Sequence, residues 1–304
     1  MDAAVFPGQG SQKPGMAQDF VEHSPISRAT FDAASDALGE DLAALCFQDD
    51  PRLNLTENTQ PAILTAEIAM FRALQDDYGF QPTIFAGHSL GEYAALVAAG
   101  VIPLEEAVPL VRLRGQLMQQ AVPPDQGAMT ALIGEIPGDL TDRIQNLQID
   151  IANHNAPTQL VLSGTIEDIT QAEARLQGSG LRMRRLTVSA PFHSRLMRPI
   201  EAPFREALVR SSGRWEATHT GRVLSNASGG FYPADDLEAV IAGLTAQLAG
   251  TVRWVDNMKA IQGRAPERIV EIGPKRPLRG FFRGLGVEVT AITNRTMARR
   301  AFGG

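Results

Sequence analysis

Residues 87–91 read Gly-His-Ser-Leu-Gly, at a point where a chain has almost no conformational freedom. The apolar run Thr83–Ala86 predicts a short buried strand just before them. The small-residue run Glu92–Ala99, closed by Gly100, predicts a helix just after. A strand that turns into a helix this abruptly presses backbone on backbone. The positions two before and two after the serine must therefore be small. Such a turn projects the Ser89 side chain from the sheet edge. It also aims the first amides and the positive end of the following helix at the same point. This strand-turn-helix is the nucleophile elbow of α/β folds, and it makes Ser89 the candidate nucleophile.

The rest of the first half repeats that alternation. Ala3–Phe6 predicts a strand ending at Pro7-Gly8. Pro61–Tyr78 has near-helical apolar spacing, with Pro61 suited to a first turn and Gly79 to a stop. Strands alternating with helices imply a parallel sheet covered on both faces. The middle has another rhythm. Gly127–Ile133, Asp150–Asn153, Leu160–Ser163 and Arg182–Val188 are strand-like, with Asn155-Ala156-Pro157 as a turn; Asp139–Leu147 and Glu167–Leu176 are helix-like. The order β-α-β-β-α-β is ferredoxin-like. The expectation is a parallel-sheet α/β core, residues 1–123 and 189–304, carrying an inserted ferredoxin-like subdomain, residues 124–188. The core then resumes with a helix from about Pro199, a strand near Val223, helices Leu237–Leu248 and Val252–Gln262, and strands Arg268–Ile272 and Glu288–Ile292.

Composition narrows the class. Over 304 residues, 44% are hydrophobic and 20% charged, which excludes disordered and collagen-like chains. Cys46 is the lone cysteine, so no intrachain disulfide forms, and packing is its expected role. The first residues lack a basic segment before an apolar stretch, and no apolar run approaches the ~18–20 residues that span a bilayer. A soluble, cytoplasmic protein is expected, with no membrane or nucleic-acid partner. No His/Cys/Asp cluster has metal-ligand spacing, so no metal is expected. The net charge of −6 hides an asymmetry. Residues 1–106 hold 16 acids and 4 bases, whereas residues 275–304 hold 7 bases and only Glu288 as acid. A basic tail on an acidic body is either a solvated surface or a mark of an anionic partner.

A serine hydroxyl needs a base. His23 and His219 lie in polar stretches expected at the surface. His88 adjoins Ser89, and neighbours on extended chain point opposite ways. His154 falls in the inserted subdomain, as a turn residue or a cleft residue. His193, in Pro191-Phe192-His193-Ser194, lies where the chain leaves that subdomain, and pockets form at such junctions. No acid between Ser89 and His193 follows a clear strand end, which leaves a backbone carbonyl as an alternative for orienting the base. The loop Gly8-Gln9-Gly10-Ser11-Gln12 has Lys13 where a dinucleotide fingerprint needs its third glycine. It is either a tight turn or a source of an amide for an oxyanion. Arg112 and Arg114 are two apart on a helix and face different ways. If one points inward it must meet an anion, and a guanidinium fork suits a carboxylate.

Seven stretches in order, Phe6–Gln12, Thr59–Ala62, Gly87–Tyr93, Arg112–Gly115, Gly127–Met129, Pro191–Ser194 and Glu271–Pro274, resemble the malonyl-CoA:acyl carrier protein transacylases and the related acyltransferase domains of polyketide synthases. The resemblance implies an α/β-hydrolase-like core with a ferredoxin-like subdomain, with Ser89 as nucleophile and His193 as base. It implies the backbone amides of Gln9 and Leu90 as the oxyanion hole, and Arg114 as the holder of the malonyl carboxylate. Such proteins orient the histidine through a backbone carbonyl, for which Gln247 is the candidate here. Phe192 resembles the malonyl-selecting form of its loop, leaving little room for an α-methyl branch. The implied partners are malonyl-CoA and an acyl carrier protein, with no cofactor beyond the CoA thioester substrate. Two departures stand out: Gly273-Pro274-Lys275 in place of Gly-Pro-Gly, and Thr251-Val252-Arg253-Trp254 in place of Pro-Val before the tryptophan. The alternatives are a hydrolase or esterase of the same architecture, which has no use for a buried arginine, and a non-catalytic carrier-docking module. Lys275, Arg276, Arg279 and Arg283 are candidates for docking an acidic carrier.

Overall fold

A computed structural model describes residues 1–123, 125–188 and 190–303. The expected subdomain limits at Pro124 and Ser189, and Gly304, lie outside the described residues. Strand β1 (Asp2–Phe6) opens the chain, followed by α1 (Gln18–His23), α2 (Pro25–Leu38), α3 (Leu42–Phe47) and α4 (Thr56–Tyr78). Then come β2 (Ile84–Gly87), α5 (Gly91–Ala98) and α6 (Leu104–Gln120). The middle holds β3 (Gly127–Ile133), α7 (Leu140–Ile144), β4 (Ile149–Ala156), β5 (Gln159–Thr165), α8 (Ile166–Arg175) and β6 (Arg182–Arg185). The chain ends with α9 (Glu201–Ser211), α10 (Leu237–Ala249), α11 (Trp254–Gly263), β7 (Arg268–Ile272), α12 (Pro277–Arg283), β8 (Thr290–Ile292) and α13 (Arg295–Phe302).

The first sheet has the order β2-β1-β7-β8, and every pairing is parallel. Its strands are apolar on both faces because both are covered. Ala4, Phe6 and Phe85 point into the larger core with α4, α5 and α10. Their neighbours Ala3, Val5, Ile84 and Ala86 pack on Trp254, Met258 and Phe282 from α11 and α12. The second sheet, order β4-β5-β3-β6, is antiparallel. Leu132, Leu160 and Leu162 pack on Leu140, Ile144 and Ile169 of α7 and α8. Met129, Ala131 and Val161 instead join the large core cluster. The small sheet thus turns one face to its own helices and the other toward the parallel-sheet unit. Backbone links tie the two: the N–H of His154 donates to Val252 O at 3.0 Å, and that of Val252 to Ala152 O at 2.8 Å.

Several local expectations shift. Helix α4 begins at Thr56, so Pro61 sits inside it rather than in its first turn. Its opening residues are polar yet buried, because tertiary hydrogen bonds satisfy them: Asn58 Nδ2 donates to Arg52 O at 3.0 Å and Thr59 Oγ1 to Leu53 O at 2.6 Å. The expected turn at Asn155-Ala156 is the end of β4, so His154 is a strand residue. Near Val223 there are isolated bridges rather than a strand: Val223 to Phe85 in parallel and Leu224 to Phe231 in antiparallel. Cys46 is fully buried, and burial pushes its thiol pKa up. Among the described residues no helix is long and apolar enough to cross a membrane, and no group of three or more His, Cys, Asp or Glu residues could hold a metal ion.

Candidate active site

The elbow forms where β2 meets α5. Ser89 takes φ 53°, the left-handed region. A Cβ on Gly87 would stand 1.8 Å from the carbonyl oxygen of Gly91. One on Gly91 would stand 2.1 Å from that of Phe6, and one on Gly8 2.4 Å from that of His88. These glycines let the turn close and let the 8–12 loop cross over it. The Ser89 N–H donates to Asn226 Oδ1 at 2.7 Å, so that amide is taken. The amides of Gln9 and Leu90 have no protein acceptor among the described residues.

His193 comes from the loop after the small sheet, 4% exposed and also left-handed, at φ 57°. Its Nε2 lies 2.7 Å from Ser89 Oγ, and its Nδ1 lies 2.7 Å from the Gln247 carbonyl oxygen. A carbonyl only accepts, so Nδ1 carries the proton and Nε2 is free to accept from the serine. Burial first, and then the Arg114 cation, push the His193 pKa down from 6.5 to about 3. The imidazole is therefore neutral and able to take a proton at ordinary pH. Among the described residues no acid is bonded to it; its Nδ1 partner is the Gln247 backbone carbonyl.

Arg114 points inward from α6, 2% exposed. Its guanidinium donates to Gln60 Oε1 at 2.7 Å, Gln247 Oε1 at 2.8 Å and Ser89 Oγ at 3.1 Å, while Nε has no partner. All three acceptors are neutral. Burial lowers its pKa, and the ring of Tyr93 lies 5.5 Å away. Its neighbour Arg112 is not simply solvated: it pairs with Glu40 and Asn58. Arg114 is thus a buried cation whose hydrogen bonds go only to neutral oxygens, one of them the Ser89 hydroxyl.

Gln247 meets four groups at once. Besides its carbonyl on His193 and Oε1 on Arg114, its Nε2 donates to Ser89 O at 3.0 Å and Glu92 Oε2 at 2.6 Å. Glu92, Asn226 and Gln60 escaped the reading of the sequence as site residues. Gln60 and Glu92 sit inside quoted motifs, where their neighbours carried the argument; nothing local marked Asn226. His88 turns away from Ser89, with Nε2 2.7 Å from Asn155 Oδ1. His154 lies in a separate groove with Thr251 and Asp256, His23 is exposed, and His219 is half-buried. Phe192, 7% exposed, packs in the core cluster beside the base.

A cleft of about 840 Å³ lies beside the elbow, lined from loops of the first sheet and from the second sheet, with Gly8, Gln9 and His88 but not Ser89, His193 or Arg114 among its lining residues. Gly8–Gln12, His88, Asn155, Arg184 and Lys275 line it. Lys275 Nζ donates to Gly10 O at 3.1 Å. Arg276, Arg279 and Arg283 are exposed along α12.

Residues 4–281 match the acyl transferase domain family. The chain is 38% identical over 295 residues to the malonyl CoA-acyl carrier protein transacylase of Salmonella typhimurium, covering 95% of this chain and 94% of that one. It is 37% identical to the Bacillus subtilis protein of the same name, over 92% and 88%. Among solved structures, FabD from Acinetobacter baumannii superposes with a TM-score of 0.93 at 38% identity, covering 99% of this chain and 97% of that one. A malonyl-transacylase solved with its type II polyketide synthase acyl-carrier protein gives 0.93 at 36% identity, covering 99% of both chains. The chain belongs to the acyl transferase domain family, among the malonyl CoA-acyl carrier protein transacylases.

Proposed function

We infer that this protein moves a malonyl group from malonyl-CoA to the phosphopantetheine thiol of an acyl carrier protein, by a ping-pong route through a malonyl-serine. The observation that carries the reading is Arg114: a buried guanidinium with neutral partners, 3.1 Å from a serine hydroxyl that faces a neutral imidazole. An uncharged acyl chain gives such a cation nothing to bind, which disfavours an ordinary esterase.

In this mechanism Ser89 Oγ attacks the thioester carbon as its proton passes to His193 Nε2. The Gln247 carbonyl holds Nδ1–H and steadies the imidazolium. The amides of Gln9 and Leu90 take the tetrahedral oxyanion. The C–S bond breaks, CoA leaves with the proton from His193, and Arg114 holds the acyl carboxylate. The carrier thiol then gives its proton to His193, attacks the ester, and Ser89 recovers its proton. Every step uses protein groups, and CoA enters only as part of the substrate. Phe192 beside the base crowds the acyl Cα and disfavours an α-methyl branch. The unit from about 124 to 188 is the ferredoxin-like subdomain of this reading, a view supported by the strand order β4-β5-β3-β6 with two helices on one face.

The test is incubation with malonyl-, methylmalonyl- and acetyl-CoA, with and without a carrier protein, followed by intact mass. A malonyl adduct on Ser89 that discharges to the carrier is expected. Rapid loss of the adduct to water with no malonyl-carrier would favour a hydrolase. No adduct at all would revive a docking module.

A further inference from the structure

The carboxylate of Glu92 touches none of the reacting groups, yet it binds the supports of all of them. It lies in the first turn of α5, fully buried. The Tyr232 hydroxyl donates to its Oε1. Its Oε2 accepts from the Asn226 N–H at 3.0 Å and from Gln247 Nε2 at 2.6 Å. Asn226 in turn holds the Ser89 amide, and Gln247 holds both His193 and Arg114.

A side-chain amide has one accepting and one donating end, whereas a carboxylate only accepts. Glu92 therefore draws the donating end of Gln247 toward itself, and the accepting end must face Arg114. The reverse pose would aim N–H groups at the guanidinium. Burial pushes the Glu92 pKa up to about 7, against the pull of its hydrogen bonds and of the Arg114 cation. The titratable groups facing it are that cation and the phenols of Tyr93 and Tyr232, which burial keeps neutral.

We propose that Glu92 is a positioning residue for acyl-group selection: it orients Gln247, and through that side chain it holds Arg114 in the pose that takes an acyl carboxylate. This rests on the role given to Arg114 above. Glu92→Gln keeps the shape but removes the charge from that contact, leaving neutral acceptors, the residue 92 amide and the Ser89 carbonyl, to hold Gln247 Nε2.

The experiment measures acyl-enzyme formation from malonyl-CoA and from acetyl-CoA, by intact mass, for the wild type, E92Q, R114A and the double variant. In E92Q, malonyl acylation at low substrate should fall about tenfold, the scale of one charge-assisted hydrogen bond, chiefly through KM. Acetyl acylation should hold, and adding E92Q to R114A should change nothing further. A merely structural role would lower both donors alike. Equal loss for both donors, or unchanged malonyl acylation, overturns the proposal. Preference lost in R114A but kept in E92Q overturns the proposal alone, while preference kept in R114A overturns the Arg114 role and the proposal with it. If E92Q does not fold by circular dichroism, Glu92→Asp answers the same question. It keeps the acid but draws it back from Gln247 Nε2, so malonyl preference falls if the link holds and persists if it does not.

Discussion

Ser89 and His193, 104 residues apart, meet at 2.7 Å with both backbones in the left-handed region. That conformation costs an L residue roughly 1–2 kcal/mol, which the surrounding fold must offset at both positions. Burial, and after it the Arg114 cation, set the protonation state of that imidazole. With its pKa down at about 3, the imidazole should not titrate in the ordinary histidine range. Modification of Ser89 by a neutral sulfonyl fluoride should then vary less than about twofold between pH 5 and 8. A loss of reactivity centred near 6.5 would show a normally titrating imidazole and sink this account. Stability has a defined sign as well. The unfolded chain takes a proton on this side chain near 6.5 and the folded one only near 3, so stability present above 6.5 is lost as pH falls through that window.

The elbow glycines allow a steric prediction. Gly91→Ala puts a methyl 2.1 Å from the Phe6 carbonyl oxygen, and Gly87→Ala puts one 1.8 Å from that of Gly91. Both obstacles are backbone and cannot swing aside. Each variant should lose more than about 4 kcal/mol and yield little folded protein. Gly138→Ala meets nothing within 4 Å and serves as the control, with a melting temperature near the wild type. Wild-type melting in Gly91→Ala would mean that the turn is looser than described.

Strands bounded by strong punctuation were legible to the residue: β3 and β7 have the expected limits, Gly127–Ile133 and Arg268–Ile272. The early helices α1 to α3 and the first turn of α4 were not, because their burial depends on partners far along the chain. Asn58, for instance, reads as loop chemistry until its bonds to Arg52 and Arg112 are seen. The site divides the same way. The elbow is a local pattern, and a missing acid pointed toward a carbonyl. That Gln247 also meets Arg114, Glu92 and Ser89 follows from a helix 158 residues beyond the elbow serine, and no local spacing encodes it.

Glu67 lies under the same loops with neither carboxylate oxygen partnered among the described residues. A Cβ on Gly273 would stand 3.1 Å from its Oε1. Burial, then the nearby Glu271 charge, raise its pKa well above 4.5. The folded state thus keeps a proton that the unfolded chain releases near 4.5. The stability this contributes is full below that pH and declines as pH rises toward the folded value. Glu67→Gln mimics the protonated form, so its melting temperature should gain on the wild type between pH 5 and pH 8. A constant difference across that range would show that Glu67 does not titrate differently on folding.

The basic tail offers a last prediction. Lys275 reaches the cleft, while Arg276, Arg279 and Arg283 stand exposed along α12 beside it. A carrier bearing acidic side chains would meet this face as its arm enters the cleft. Exposed charges act mainly on encounter and are screened within about 8 Å at physiological salt. Replacing the three arginines by glutamate should therefore raise the KM for carrier protein several-fold at low ionic strength, and flatten the rise of KM with added salt. Acylation by malonyl-CoA should be weakened less, since its acyl group and thioester are held inside the cleft. A carrier KM that matches the wild type at every salt concentration would make the tail an ordinary solvated surface. In that case docking would have to rest on the other wall of the cleft, where Arg184 and Arg185 stand.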